Sequence, residues 1–240
     1  MPTLQRTTPR SAKSRQRVDA LLAAARSVFS ELGFQRATTA LIAERAGVSE
    51  ATVFTYFPGK RELCVQVIKD WYDEITRDLE AALPRLPDIQ SQLSYVVRAH
   101  LLTLLADGSG MCALVLGEGR TAGPGLSDVI AECQRRYVAP WMACLAQAHA
   151  RGEIRQDMPL RLLRDLVYGA MEHVLWDSIT DRKRPPIDDT AQQLCTLIWS
   201  ALMPPLPADA HHTSLAALAR FKDDVTEALR RLEQRDPPCP

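Results

Sequence analysis

From Val18 the apolar residues fall at Val18, Leu21, Leu22, Ala25, Val28, Phe29 and Leu32, the offsets of three and four that line one face of an α-helix. The same spacing returns in segment after segment. Leu63, Val67, Trp71, Ile75 and Leu79 mark a helix over about 60–82, and further helical segments follow at 88–107, 110–119, 126–151, 159–180 and 188–202. Gly or Pro closes most of them: Gly33, Gly47, "PRLP" at 84–87, Arg151-Gly152, "DRKRPP" at 181–186 and "PPLP" at 204–207. Pro140 sits inside the 126–151 segment, where it should kink or split the helix. No internal repeat is present. With almost no period-two alternation to build a sheet, the pattern predicts an all-α fold.

One stretch resists that reading. "TVFTYF" at 52–57 is wholly β-branched and aromatic, which by propensity favours a strand. A single six-residue strand has nothing to pair with. Its flanks are helical: Thr38-Thr39 offers an N-cap for a short helix carrying Ile42, Ala43 and Ala46, and Gly47 ends it. Only three or four residues remain for a turn before Ser49 caps the next element, which Pro58-Gly59 must stop. Two short helices joined by so tight a Gly-containing turn form a helix-turn-helix. The second need be only about two turns long to lie in a DNA major groove roughly 12 Å wide. Val53 and Phe57, four apart, then face inward, with Phe54 placed to share that packing. Glu50, Ala51, Thr52, Thr55 and Tyr56 are left outward, where they can approach bases or phosphates.

Charge supports a polyanion-binding head. Residues 1–61 hold ten Lys/Arg against four Asp/Glu, whereas the remainder holds 19 against 25. The start, "MPTLQRTTPRSAKSRQRV", has no acid and no apolar core of a secretory signal, and reads as a disordered basic arm over 1–14 in preference to a transit peptide. Its Arg6, Arg10 and Lys13, with Arg15 and Arg17, are placed for phosphate or minor-groove contacts or for solubility alone. The longest apolar runs, such as "ALVL" at 113–116, are far below the roughly 18 residues of a membrane span. Six scattered cysteines form no C-x-x-C pair, and His211-His212 stand alone, so no metal site and no disulfide framework is expected. "GEGRTAGPG" at 117–125 matches no phosphate-binding motif and reads as a loop between helices. With no catalytic set in view, an enzyme is not expected, nor is any cofactor.

The stretch "TTALIAERAGVSEATVFTYFPGKREL" resembles the DNA-binding domain of the TetR/AcrR family of transcriptional regulators. The likeness lies in the Thr-Thr start, the "IAERAGVS" helix and turn, the aliphatic-aromatic pattern ending in Phe57, and the Lys that opens the fourth helix. It spans about residues 15–63. The resemblance implies that Thr39 meets phosphate at a helix N-terminus, that Thr52 and Tyr56 touch the operator, and that Glu50, Ala51 and Thr55 lie where bases are read; the capping residues Thr38 and Ser49 are counted with this DNA-binding set. Lys60 would neutralise a phosphate. Pro58-Gly59 departs from the more usual polar residues before that Lys. Few of these side chains are long or bidentate, so methyl contacts, backbone and DNA shape would carry specificity.

The family resemblance also implies a cytoplasmic, ligand-responsive regulator, most simply a repressor that binds a palindromic operator as a homodimer and is released by a small effector. An architectural or cell-division DNA-binding protein using the same head is the alternative. The head would cover 15–62, a ligand-binding and dimerisation body 63–203, and a linker with an extra amphipathic helix 204–240. Met111, Cys112, Trp141, Met142, Cys144, Tyr168, Met171, His173 and Trp176 are candidates to line a largely apolar pocket for an apolar or aromatic effector, and Glu172 and His173 to orient it. The dimer interface would use the two helices at about 159–181 and 188–202, through Leu163, Leu166, Val167, Val174, Leu175, Trp199 and Leu202.

Overall fold

The computed structural model describes residues 11–106, 110–121, 126–181, 186–205, 220–223 and 225–226. Every regular element among them is a helix. In chain order these are α1 (Ala12–Arg36), α2 (Thr39–Arg45), α3 (Glu50–Tyr56), α4 (Lys60–Ala82), a 3-10 turn (Leu83–Arg85), α5 (Ile89–Ala106), α6 (Gly110–Thr121), α7 (Leu126–Ala150), α8 (Leu160–Asp181) and α9 (Ile187–Leu202). Residues 1–203 make one compact unit and residues 204–240 a second. In the second, the described residues 220–223 and 225–226 are helical, with Phe221 and Val225 exposed. The rest of the extra amphipathic helix expected within 204–240, His211-His212, and the arm up to residue 10 lie outside the described residues.

Local chemistry accounts for the three helices of the head. Ser11 opens α1 by accepting the N–H of Ser14 at 3.2 Å, and Val18, Leu21, Ala25, Val28 and Phe29 bury its inner face. Gly33, at φ +71°, interrupts the helix, and a final turn to Arg36 follows where the sequence suggested a stop. Thr38 caps α2 by accepting from the Leu41 N–H at 3.2 Å. Gly47 ends it at φ +68°: its own N–H reaches the Glu44 carbonyl and the Val48 N–H reaches Ala43, both at 3.0 Å. This paired closure needs the left-handed backbone that Gly adopts without strain.

Ser49 then caps α3, accepting the Thr52 N–H at 3.3 Å. The strand-like "TVFTYF" is thus a helix, held because Val53 and Phe57 are buried in the common core with Ile42 and Leu63. Phe54 does not share that packing and is 51% exposed. One residue past Val53, it stands about 100° further round the helix, away from the Val53–Phe57 stripe.

The body is laid around α4, which packs on α1 in the head and on α7 in the body, while α5 packs on α8 and α9. α6 crosses α1 so closely that a Cβ on Gly110 would sit 2.4 Å from the Ser30 carbonyl oxygen. Pro140 does not split α7. It removes the bond that the Arg136 carbonyl would accept, but Tyr137 and Trp141 on either side are buried and hold the helix in one piece. α6 runs on to Thr121, so the first part of "GEGRTAGPG" is helical, and residues 122–125 lie outside the described set.

Candidate functional site

The outward side of α3 is an array of small polar groups whose donors are partly committed. Glu50, in its first turn where the helix dipole favours an anion, accepts the Thr39 hydroxyl at 2.5 Å and so links the starts of α2 and α3. Ser49 and Thr52 share a hydroxyl contact of 2.9 Å, and Thr55 donates back to the Ala51 carbonyl at 3.0 Å. The Tyr56 oxygen accepts from the Ser14 hydroxyl at 3.2 Å, and that bond, together with Arg17 nearby, lowers the phenol's pKa. Tyr56 thereby ties α3 to the start of α1 and keeps its own O–H to donate. Glu50, Ala51, Phe54 and Thr55 form the exposed side of the helix. Phe54 was missed as a surface residue, although its offset of four from Glu50 carried the signal.

Lys60 has a different setting from that expected of a phosphate ligand. Its ammonium donates to the carbonyls of Phe34 at 2.8 Å, Gln35 at 3.3 Å and Ala37 at 2.9 Å, and lies 4.5 Å from the centre of the Phe34 ring. An ammonium has three N–H donors, and all three are directed at the end of α1, where the helix dipole also favours a cation. Lys60 therefore fixes the α1–α2 corner.

In the body, α4, α5, α6, α7 and α8 line a partly open cavity of about 380 Å³. Trp71, Tyr72 and Ile75 of α4 line it, together with Val115 of α6 and Leu175 of α8. His100, Tyr137 and Tyr168 also line it and cluster edge-to-face or stacked, with ring centres 5.6–6.1 Å apart. The His100 Nδ1 and the Tyr137 hydroxyl are hydrogen-bonded at 2.8 Å. Burial pulls the imidazole down to about 3 and pushes the phenols of Tyr72, Tyr137 and Tyr168 above their usual value, so all four stay neutral. Burial, followed by the charge of Glu172, pushes the Cys112 thiol up to about 12. Charged lining residues are confined to the more exposed side: Arg135, Arg164 with its partner Asp165 at 2.5 Å, and Glu172. A second cavity of about 260 Å³ shares Ile75 and Tyr137 with the first.

Of the pocket candidates, Cys112, Tyr168 and Glu172 line the main cavity. Met111, Trp141 and Met171 are buried in the surrounding core, Cys144 is half-buried, and His173 and Trp176 stand on the exposed side of α8. The sequence signal had missed Trp71, Tyr72, Ile75, His100 and Tyr137, which come from helices whose apolar spacing looked like ordinary core. Among the interface candidates, Leu163, Val167, Leu175 and Leu202 are buried within the chain's own core, and Val174 and Trp199 are half-buried. Among the described residues, the large apolar side chains turned outward on these two helices are Leu162, Leu166 and Trp176 of α8 and Leu197 of α9, the last 69% exposed. Among the described residues no helix is long and apolar enough to cross a membrane.

The sequence matches the model of "Bacterial regulatory proteins, tetR family" over residues 21–67 and that of "YsiA-like protein, C-terminal region" over 68–201. It is 23% identical over 155 residues to the fatty acid metabolism regulator protein of Bacillus subtilis, covering 65% of this chain and 79% of that one. To the HTH-type transcriptional regulator UidR of Escherichia coli it is 29% identical over 163 residues, with 64% and 79% covered. The crystal structure of the transcriptional regulator FadR from Bacillus subtilis in complex with stearoyl-CoA shares the fold at a TM-score of 0.71 and 20% identity, over 77% of this chain and 98% of that one. The two models together run through head and body alike, and the chain belongs to the TetR family of bacterial regulatory proteins.

Proposed function

We propose that the chain is a repressor that holds a palindromic DNA site as a dimer and releases it when a small, largely apolar compound fills the cavity. The observation that carries this reading is the path of α4. Its first residue, Lys60, holds the corner from which α2 and α3 depart, and about three to four turns later its Trp71, Tyr72 and Ile75 form a cavity wall. A ligand that pushes on that wall shifts the balance between body conformations and with it the spacing of two heads.

In this reading Tyr56 gives its remaining O–H to a phosphate, and Thr38, Ser49 and Thr52 supply hydroxyls and Thr39 a helix-end N–H around it. Glu50 can accept from a cytosine amine, while Ala51, Phe54 and the Thr55 methyl meet thymine methyls. The outward apolar residues of α8 and α9 join two copies. The stearoyl-CoA held by the Bacillus subtilis structure makes an acyl thioester the first effector to try.

The test is to select bound duplexes from a random pool and follow their affinity by fluorescence anisotropy as salt rises. A palindromic consensus, a loss of roughly 10³-fold between 50 and 200 mM salt, and release on adding stearoyl-CoA or another apolar compound are expected. Selection of unrelated or asymmetric sequences with no ligand effect would defeat the proposal.

A further inference from the structure

We propose that the cavity is built for an effector with an apolar body and one neutral oxygen, a hydroxyl or a carbonyl, seated at the buried end against Tyr168 and the His100–Tyr137 pair. This deepens the regulatory reading and rests on it only in taking the cavity as the ligand's site.

Two polar atoms there have no hydrogen-bond partner: the Tyr168 hydroxyl and the His100 Nε2. Both residues are at least nine-tenths buried, and both line the cavity. Buried polar groups are paired in nearly all folded proteins, because an orphaned one is costly. Whichever way the His100–Tyr137 proton is shared, the pair offers the cavity a complementary group. If Tyr137 donates to Nδ1, Nε2 carries a proton and donates. If Nδ1 donates, Nε2 accepts and the Tyr137 O–H is released. A carbonyl oxygen could accept from Tyr168 and His100 together, and a hydroxyl could accept from one while donating to the other.

The same geometry rejects other chemistry. The charged lining residues Arg135, Arg164, Asp165 and Glu172 are more exposed than Tyr168 and His100, so a carboxylate or ammonium seated against those two would be desolvated with only neutral hydrogen bonds to hold it. A saturated chain entering methyl-first would leave both polar atoms unpaired. Trp71, Ile75, Val115 and Leu175 suit an aromatic or aliphatic body. Any charged part of the ligand belongs beside Arg135 and Arg164 at the exposed side.

Calorimetric titration of the full chain without DNA, at pH 7, tests this with 4-propylphenol, propylbenzene and 4-propylbenzoate, which share a body and differ in one group. The ketone 2-undecanone distinguishes a carbonyl from a hydroxyl. The phenol or the ketone should bind about ten-fold more tightly than the hydrocarbon and the benzoate, and Tyr168→Phe should remove the preference over the hydrocarbon, with the phenol or ketone bound more weakly and propylbenzene, which no longer strands the hydroxyl, bound at least as tightly as before. Equal affinities, a preference for the benzoate, no binding of phenol or ketone, or a preference that survives Tyr168→Phe would each overturn it. Stearoyl-CoA releasing DNA equally from the wild type and from Tyr168→Phe would do so too, while leaving the regulatory reading intact.

Discussion

At the scale of single residues, Lys60 and His100 show how position decides what a charge can do. With three carbonyls around its ammonium, Lys60→Ala is expected to cost about 2 kcal/mol, lowering Tm by roughly 5 °C in a thermal melt. An unchanged Tm with DNA binding lost would instead place the ammonium on a phosphate. His100 is neutral in the folded chain down to about 3 but titrates near 6.5 once unfolded, so the unfolded state takes up the proton first. Stability should therefore fall as pH drops below about 6.5, by up to about 1.4 kcal/mol per pH unit, and continue falling toward 3. Denaturant titrations at pH 7 and pH 5 should show a flatter slope for His100→Gln than for the wild type. A sequence reader could place Tyr56 and Thr55 on the outer side of α3 from spacing alone. That the Lys60 donors turn inward was not legible, because the three carbonyls come from residues more than 20 positions away.

Among the elements, the helices were legible within a few residues because their limits are written locally, in Ser49, Gly47, Pro58 and Gly152. Which side of a helix faces where was less so. α8 is apolar on two sides, and a stripe through Leu163, Val167 and Leu175 looks as suitable for a partner as for the chain's own core. Packing against α5 and α7 resolves it, leaving the neighbouring stripe of Leu162 and Leu166 outside. The crossing of α1 and α6 was invisible for a similar reason, since nothing near Gly110 announces Ser30. Gly110→Ala must push the helices apart, and it should cost about 1–3 kcal/mol in a denaturant titration. Because α6 also carries Cys112 and Val115 to the cavity, the same substitution is expected to change how strongly a bound compound alters DNA affinity, read by anisotropy with and without ligand. An alanine variant as stable as the parent would show that α1 and α6 can part at no cost.

For the whole molecule, family and fold were readable because the head's motif is contiguous and the periodicity sustained, whereas the cavity is assembled from five helices and has no contiguous trace. The outward apolar surface of α8 and α9 makes a dimer the expected state. Leu166→Glu combined with Leu197→Glu should give a monomer in sedimentation velocity and weaken binding to a palindrome by about 10²-fold or more, since the second head loses its effective concentration. A dimer that survives both changes would put the interface elsewhere. The two family models meet between residues 67 and 68, inside α4, which runs unbroken from Lys60 to Ala82. Head and body are therefore not interchangeable modules. A chimera joined at that point keeps its phase only if both parents contribute the same number of residues to the rod. A single added residue would turn everything upstream by about 100°, so parts from two relatives can be traded only as whole lengths of α4 together with the helices seated on it.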